Sequence, residues 1–363
     1  MAVTLAYVII ILIQAVLLFL AATIVFDCVH YILHICMKSK NRFLHALGSI
    51  HLQHHRFFNT KLNISNEYSV SNIFSHIMLE NFTQFVVILC GLFFVKPAAV
   101  IVAAVFQLLL LLLVIKNRGV DPHHRAYEKL PAYRGGWYVT ADYHALHHHY
   151  LTNYYSSYIK LIDSILGTSH HLENKKIVMT GASGALGSNL KRKLEAAGAQ
   201  VTPFRYQLDY DYGQYEKIIP ALKNADILVL CHGSKVHLAQ QANCDSYVDL
   251  IELYKKVHER DLLPPEVWAT GSEIECHPCF GIKSIQVYAA SKRNFAKYAR
   301  QYYRDPQLQY RHLVHSAFIS PMGPGLMTAN FAAAATLFFI KRGFRYVPVT
   351  YTGFALLNYF RFL

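Results

Sequence analysis

The chain concentrates imidazole in three clusters, His30-x-x-x-His34, His51-x-x-His54-His55 and His144-x-x-His147-His148. Of its 21 histidines, 15 lie between positions 30 and 171. Neutral imidazole is the commonest protein ligand for transition metals at physiological pH. Residues three and four apart share one face of a helix, so each cluster would present its nitrogens together. Converging helices would offer eight or more nitrogens, too many for one ion and suited to two. All-nitrogen ligation suits iron, zinc, copper or nickel, and spacing alone does not choose among them. A lone histidine on an apolar face is usually structural, but the triplet form recurs here. His149 turns the last cluster into a run of three and leaves its register open. His76, four residues before Glu80 in an apolar stretch, ranks below the clustered histidines.

A second set of chemistry-bearing residues lies downstream. Ile177-Val178-Met179-Thr180-Gly181-Ala182-Ser183-Gly184-Ala185-Leu186-Gly187 reads as a strand, a glycine-rich turn and a helix start. Such glycines permit a tight turn and let a pyrophosphate approach the helix N-terminus. A bare glycine triplet is a weak signal; this context strengthens it. Tyr288-Ala289-Ala290-Ser291-Lys292 opens a helix, and Ser272 follows a strand. A tyrosinate beside a lysine ammonium can act as general acid/base, because the cation depresses the phenol pKa. A serine hydroxyl can orient a carbonyl.

The elements that must position these residues begin in apolar segments. Hydrophobic content is 53% and mean hydropathy +0.21, against 16% charged residues. Residues 2–26 and 97–115 carry no charge, with Gln107 the one strongly polar side chain of the second stretch. Each is long enough to cross a bilayer as a helix. Phe82–Val95 is apolar but short. It spans only if extended back through His76 and Glu80; the preferred reading is a helical hairpin with 97–115, turning at Lys96-Pro97. The N-terminal segment lacks a basic leader and its apolar run is too long for a signal peptide, so it reads as a retained membrane helix.

Net charge is +13, yet no nucleic-acid motif accompanies it, and no nucleic-acid partner is expected. The charge reads as topological. Lys38, Lys40, Arg42, Arg56 and Lys61 face one acid, Glu67, in the 38–68 loop, and Lys116 and Arg118 follow the next span. By the positive-inside rule both loops face the cytoplasm, which puts all three histidine clusters on that face. Anionic headgroups would attract the same surface. The seven cysteines show no disulfide spacing. Cys276-His277-Pro278-Cys279 lacks the second pair a zinc site needs. The sequons at Asn63 and Asn81 fall on the cytoplasmic or membrane side and are not expected to carry glycans.

Composition shifts near Glu173-Asn174-Lys175-Lys176. Beyond it, strands are expected at Lys176–Thr180, Gln200–Arg205, Ile227–Cys231, Val267–Thr270 and Leu313–Ile319. Helices are expected at Ala185–Ala197, Gln214–Lys223, Asp245–Glu259 and Tyr288–Tyr303. That alternation implies a doubly wound parallel sheet. The expected architecture is multi-domain: an N-terminal all-α integral membrane helical domain with histidine boxes over 1–172, and a C-terminal α/β Rossmann-type domain over 173–350. Residues 351–363 form an apolar tail. Ala332–Ile340 and Thr352–Leu363 fit two readings equally: the last helix and strand of the sheet plus a short helix, or an amphipathic tail resting on the bilayer.

Residues 1–170 resemble the fatty acid hydroxylase and sterol desaturase superfamily. The resemblance rests on the three boxes, the Phe43-Leu44-His45 stretch before the second, and Asn153-Tyr154, Asp163 and Gly167-Thr168 after the third. It implies two iron ions per chain that activate O2 to hydroxylate or desaturate a lipid. Its ligands would be His30, His34, His45, His51, His54, His55, His144, His147 and His148, with His123 or His124 as an additional ligand; His124 is taken into the set. Residues 174–350 resemble short-chain dehydrogenases/reductases. Here Ser272, Tyr288 and Lys292 would be catalytic, and Gly181, Ser183, Gly184 and Gly187 would hold the dinucleotide. Cys231-His232-Gly233 sits where that family has Asn-Ala-Gly, and Asp209 resembles its adenine-contacting acid. Arg205 favours NADP over NAD, since a cation there meets the 2′-phosphate. The family's helix asparagine is not placed. The whole resembles bifunctional sterol desaturase/short-chain dehydrogenase proteins.

These readings imply a multi-pass membrane oxidoreductase, with its boxes and dehydrogenase domain on the cytoplasmic side. It would oxidise a lipid at a di-iron site and process the alcohol with NADP. A hydride carries two electrons and iron takes one at a time, with no flavin motif between. An external one-electron donor such as ferredoxin or cytochrome b5 is therefore expected. The alternatives are a desaturase or aldehyde-processing enzyme with an inactive dehydrogenase-like domain, and a membrane-anchored NADP sensor or scaffold.

Overall fold

The computed structural model describes residues 2–279 and 281–363. The chain divides into two compact units, 1–128 with 136–169, and 129–135 with 170–363.

The first unit is helical. Its elements are α1 (Ala2–Met37), α2 (Arg42–Phe57), α3 (Ser69–Asn72), α4 (Met78–Cys90), α5 (Pro97–Lys116), α6 (Ala141–Tyr150) and α7 (Leu161–Leu166). Among the described residues three helical runs are long and apolar enough to cross a membrane: Thr4–Met37, Asn66–Phe93 and Pro97–Lys116. Leu12, Ile13, Val16 and Leu17 on α1 and Leu108, Leu109, Leu112 and Leu113 on α5 are exposed. A helix apolar all round suits lipid rather than water. α1 exceeds the about 20 residues a bilayer core requires, and His30 and His34 lie beyond its uncharged stretch.

The chain does turn at Lys96-Pro97, with Pro97 at the first position of α5. The preceding helix, however, is longer than Phe82–Val95. α3, a π turn over Ile73–Ile77 and α4 form one run that carries His76 and Glu80 inside it. Their polarity is tolerated because polar side chains pair there. Gln84 Nε2 donates to Glu80 Oε1 at 3.1 Å, and Gln107 Nε2 donates to Asn81 Oδ1 at 2.6 Å. Such interhelical amide bonds are the usual answer to polar groups in an apolar setting.

Gly48 sets how closely α1 and α2 approach. A Cβ there would lie 2.4 Å from Met37 N and 2.8 Å from Leu33 O. Only glycine lets α2 press its histidine face onto the last turns of α1.

The second unit is a six-stranded parallel sheet ordered β2-β1-β3-β4-β5-β8. In chain order it runs β1 (Lys176–Thr180), α8 (Ala185–Ala196), β2 (Gln200–Phe204), α9 (Ile219–Lys223), β3 (Ile227–Leu230), α10 (Ser246–Val257), β4 (Glu266–Thr270), α11 (Lys283–Arg304) and β5 (Gln309–His315). A small β6/β7 pair (Phe318–Ile319, Met327–Thr328), α12 (Ala329–Lys341), β8 (Tyr346–Val349) and α13 (Phe354–Tyr359) complete it. Leu186, Leu190 and Leu194 of α8 and Ala332, Leu337 and Ile340 of α12 cover one face. Tyr247, Leu250 and Tyr254 of α10 and Phe295 and Ala299 of α11 cover the other. Burial on both faces explains why β3 reads Ile-Leu-Val-Leu without alternation. The edge strands β2 and β8 contain Pro203 and Pro348.

The tail belongs to the sheet unit. Ala355 and Phe362 are fully buried, and the Tyr346 hydroxyl donates to Ala355 O at 2.8 Å. Residues 129–135 also join this unit: Leu130 N donates to Leu262 O and Ala132 N to Pro306 O, both at 2.7 Å. The composition shift at 173 gave no sign of this.

His315 and His232 are both pushed down to about 3, first by burial and then by the Lys292 charge. Unfolded, each would titrate near 6.5, so below that pH the unfolded chain binds protons that the folded chain refuses. The sign is a loss of stability as pH falls from about 6.5 towards 3. His315→Gln is expected to flatten that acid limb by several kcal/mol, read from unfolding midpoints across pH. A limb unchanged in the variant would contradict this.

Candidate metal centre and dinucleotide crevice

Among the described residues, nine histidines form two groups: His30, His34, His51, His55 and His147, and His54, His124, His144 and His148. All nine are buried, and within each group one ring nitrogen per residue lies within 4.8 Å of the others. Helix phase accounts for the sorting. His51 and His55, one turn apart on α2, face His30 and His34 of α1. His54, turned from them, faces His124 and the α6 pair His144 and His148. His147, three residues after His144, returns to the first group, its ring centroid 4.6 Å from that of His30.

Five of the outer nitrogens are anchored. Nδ1 of His30, His147 and His148 donates to the carbonyls of Tyr155, Asn153 and Phe58 at 2.9, 2.9 and 2.7 Å. Nδ1 of His54 meets Asn72 Oδ1 at 3.0 Å, and that of His124 meets Asp121 Oδ1 at 2.8 Å. A donating Nδ1 fixes the tautomer that leaves Nε2 an unprotonated lone pair. These Nε2 atoms point inward: His30–His51 and His55–His51 are 3.0 Å apart, and His124–His144 and His144–His148 are 3.1 Å apart. His147 Nε2 is buried without a partner. Nitrogens bonded to one ion at about 2.1 Å and about 90° apart are separated by about 3.0 Å. Burial pushes His51, His54, His55, His144 and His148 well below the usual imidazole range and His147 down to about 3. Neutral, inward and otherwise unsatisfied, the set fits two transition-metal ions.

His45 stands apart from both groups. Six residues before His51, at about 100° per residue, it projects roughly 120° away around α2. It is exposed, with Ser49 Oγ 3.4 Å from its Nδ1. The expectation that it joins the ligands is therefore corrected. His149 also points elsewhere, its Nδ1 2.9 Å from Thr60 O. His123 lies beside His144 and Tyr158, centroids 6.0 and 5.4 Å away, outside both groups. His76 is buried between the groups: its Nδ1 is 3.1 Å from His51 Nδ1 and its ring stacks on His54 at 3.7 Å. The π turn that swings it inward has no signature in residue spacing.

Asp163 explains the motif after the third box. Buried at the start of α7, it accepts Tyr155 N and Ser156 N at 2.8 Å each and the Tyr143 hydroxyl at 2.9 Å. It thereby holds the carbonyl that anchors His30. Asp27 on α1 grips the next residue, accepting Ser157 N at 2.9 Å and Ser157 Oγ at 2.6 Å. Asp163→Asn is expected to weaken metal affinity by about 10–100-fold, measured by chelator competition. Unchanged affinity would mean that the loop holds its shape without this carboxylate.

In the second unit the strand order reverses between β1 and β3, where doubly wound sheets open a ligand crevice at their C-terminal ends. Gly181 follows β1, and its carbonyl accepts Gly184 N at 3.0 Å just before α8 starts. A Cβ on Gly187 would lie 2.1 Å from Gly181 O. The turn is thus bare backbone with α8 amides and exposed Ser183 at its mouth, which fits a pyrophosphate. Arg205 is exposed just past β2, and its N donates to Asp209 Oδ2 at 2.7 Å. Gly233 lies against Asn243, whose Oδ1 a Cβ would meet at 2.6 Å.

Burial raises the Tyr288 phenol above its usual range, and the neighbouring Ser272 draws it back. Lys292, one turn on, is buried; its Nζ donates to Thr270 O at 2.7 Å and lies over the Tyr247 ring. Burial lowers it to about 8. Tyr288 and Lys292 are thus each shifted mainly by burial, where the sequence suggested that the cation would depress the phenol. His232 was missed: it bridges Thr180 Oγ1 at 2.7 Å and Ser246 Oγ at 2.9 Å across the crevice. The buried asparagine on the helix after β3 is Asn243. Its amide donates to Ser234 O, Ala239 O and Ser291 Oγ.

Comparison with known proteins follows this division. Residues 16–168 match the family described as fatty acid hydroxylase. A monoglucosyldiacylglycerol epimerase from Synechocystis sp. is 29% identical over 260 residues, covering 62% of this chain and 62% of that protein. The chain thus matches less than two thirds of that relative's length. Among solved structures, a short-chain dehydrogenase from Burkholderia cenocepacia in complex with NADP is 15% identical, over 52% of this chain and 94% of that one, with a TM-score of 0.42. Another, from Sphingobium yanoikuyae in complex with NADPH, is 13% identical over 52% and 93%, with a TM-score of 0.41. The fatty acid hydroxylase match thus falls on the helical unit that carries the nine grouped histidines, which in this chain precedes a doubly wound parallel sheet.

Proposed function

We propose that the protein is a multi-pass membrane oxidoreductase that modifies a lipid at two sites. One is a two-iron centre held by the nine grouped histidines; the other is an NADP-linked alcohol/carbonyl site on the sheet. The observation that carries this reading is the buried, inward set of Nε2 atoms, which begins on an apolar helix at His30 and His34 and is completed from α2, the 117–140 loop and α6. Bound iron would supply O2 activation, and bound NADP would accept or return a hydride. The protein's own part is positioning. The anchored imidazoles hold a fixed donor set, and the apolar helices admit an acyl chain and keep bulk water away. At the crevice, Ser272 orients a substrate carbonyl and the Tyr288 phenol gives its proton to the oxygen as the hydride arrives, while Lys292 is held beside them by Thr270 O. The α8 N-terminus, Arg205 and Gly233 receive the dinucleotide. The histidine face and the sheet unit would be cytoplasmic, where a ferredoxin or cytochrome b5 delivers single electrons.

A second reading has specific support. The alignment with the epimerase, 260 residues, is longer than either unit of this chain. Epimerising a glycolipid headgroup needs one carbinol oxidised to a ketone and reduced again on the opposite face, with no net redox change. Ser272 and Tyr288 would serve that step with a bound NADP that takes the hydride and returns it. Purified protein given O2, reductant, NADP and membrane lipid extract separates the cases by mass spectrometry. Gain of one oxygen, or loss of two hydrogens, supports the two-site oxidation. Unchanged mass with altered headgroup stereochemistry supports epimerisation. No product and no bound metal would overturn both and leave a membrane-anchored NADP-binding scaffold.

A further inference from the structure

The turn that carries Ser272 holds two buried carboxylates, Glu273 and Glu275, each at most 6% exposed. Among the described residues neither is paired with lysine or arginine. Glu275 Oε1 accepts His312 Nε2 of β5 at 2.8 Å and Asn358 Nδ2 of α13 at 3.4 Å. Its Oε2 accepts Ser272 N at 3.2 Å. Glu273 accepts the hydroxyls of Ser316 and Thr350, Thr352 Oγ1 at 2.5 Å and Ala355 N at 3.3 Å. Phe362 then stacks on His312, centroids 4.9 Å apart. Apart from Ser272 N, every one of these partners comes from β5, the residue after it, or residues 350–362.

Burying carboxylates is costly, and an apolar contact of the same volume would attach a tail at least as well. Directional bonds to the carboxylates one and three residues after a serine do something that packing does not: they set where its turn sits. We infer that the C-terminal segment 350–362 is a clamp on the Ser272 turn, with Glu273 and Glu275 as positioning residues that hold Ser272 against Tyr288. The clamp deepens the reading of Ser272 and Tyr288 as a working pair and rests on it. The tail is thereby part of the crevice machinery rather than an appendage.

Full-length protein in detergent tests this with the double variant Thr350→Val/Thr352→Val, which keeps side-chain shape and removes two donors, and with Glu275→Ala. Amide exchange is read over residues 271–276 and, as an internal control, over β1 and β3. NADPH affinity and the NADP-dependent oxidation of cyclohexanol are measured in parallel. The clamp predicts exchange about tenfold faster at 271–276 with the control strands unchanged, from the loss of one or two hydrogen bonds. It also predicts kcat lower by a similar factor at unchanged KM for NADP. Unchanged exchange at 271–276 overturns the clamp, whatever the activity. Faster exchange with unchanged kcat overturns the positioning role. Inert wild-type protein with faster exchange in the variants supports the clamp and counts against the catalytic reading, so the two failures are distinguishable.

Discussion

Alanine at His147 is expected to strip the five-histidine group of its metal and abolish lipid conversion, while His45→Ala leaves both intact. His147 is the one member of that group contributed by α6, and its Nε2 is buried with no protein partner. Removing it leaves four imidazoles around a void and frees the Asn153 carbonyl that anchored it. Losing an outer contact typically costs 10–100-fold in affinity, so loss of a ligand should exceed about 100-fold. Metal content after chelator dialysis should fall from about two ions per chain to about one. His45 shares the same helix as three of the ligands but lies off their face, so it tests geometry against mere histidine content. Equal metal loss in both variants, or in neither, would sink the assignment.

Tyr288→Phe is expected to lower NADP-dependent turnover by about 10²–10⁴-fold while leaving cofactor affinity within a factor of about two, the size of effect general acid/base groups supply. Phenylalanine keeps the ring, so the fold should survive. Gly187→Val should behave oppositely, removing cofactor binding along with turnover. Its side chain would need the space occupied by Gly181 O, 2.1 Å from the Cβ position. Binding titrations beside steady-state rates separate the two. Tyr288→Phe turning over at the wild-type rate would remove the phenol from the chemistry.

Local pattern carried much of this and failed where structure depends on distant partners. The i, i+3, i+4 spacing of His51, His54 and His55 announces a common helix, and in the structure His51 and His55 face one group while His54, turned from them, faces the other. The spacing does not announce that division, which depends on what packs on each side. His45 came in with the resemblance of the Phe43-Leu44-His45 stretch, which says nothing about phase around α2. His76 became visible only through the π turn at Ile73–Ile77. The strands of the sheet were legible because burial on both faces makes short unbroken apolar runs between glycine and polar turns. The tail admitted two readings since Phe362 and Leu363 look alike in sequence, yet one is fully buried and the other exposed. Residues 129–135 carry no apolar periodicity and are placed by backbone bonds to Leu262 and Pro306.

Both outer strands of the sheet carry a proline, Pro203 in β2 and Pro348 in β8. Each lacks an amide proton in the middle of a row that would otherwise be open for pairing. Sheets brought beside other copies of the same chain are the setting in which unguarded rims template runaway association. Here the rims are blunted at both ends. The consequence is a safeguard on biogenesis: the sheet can be crowded at high density without being extended by its neighbours.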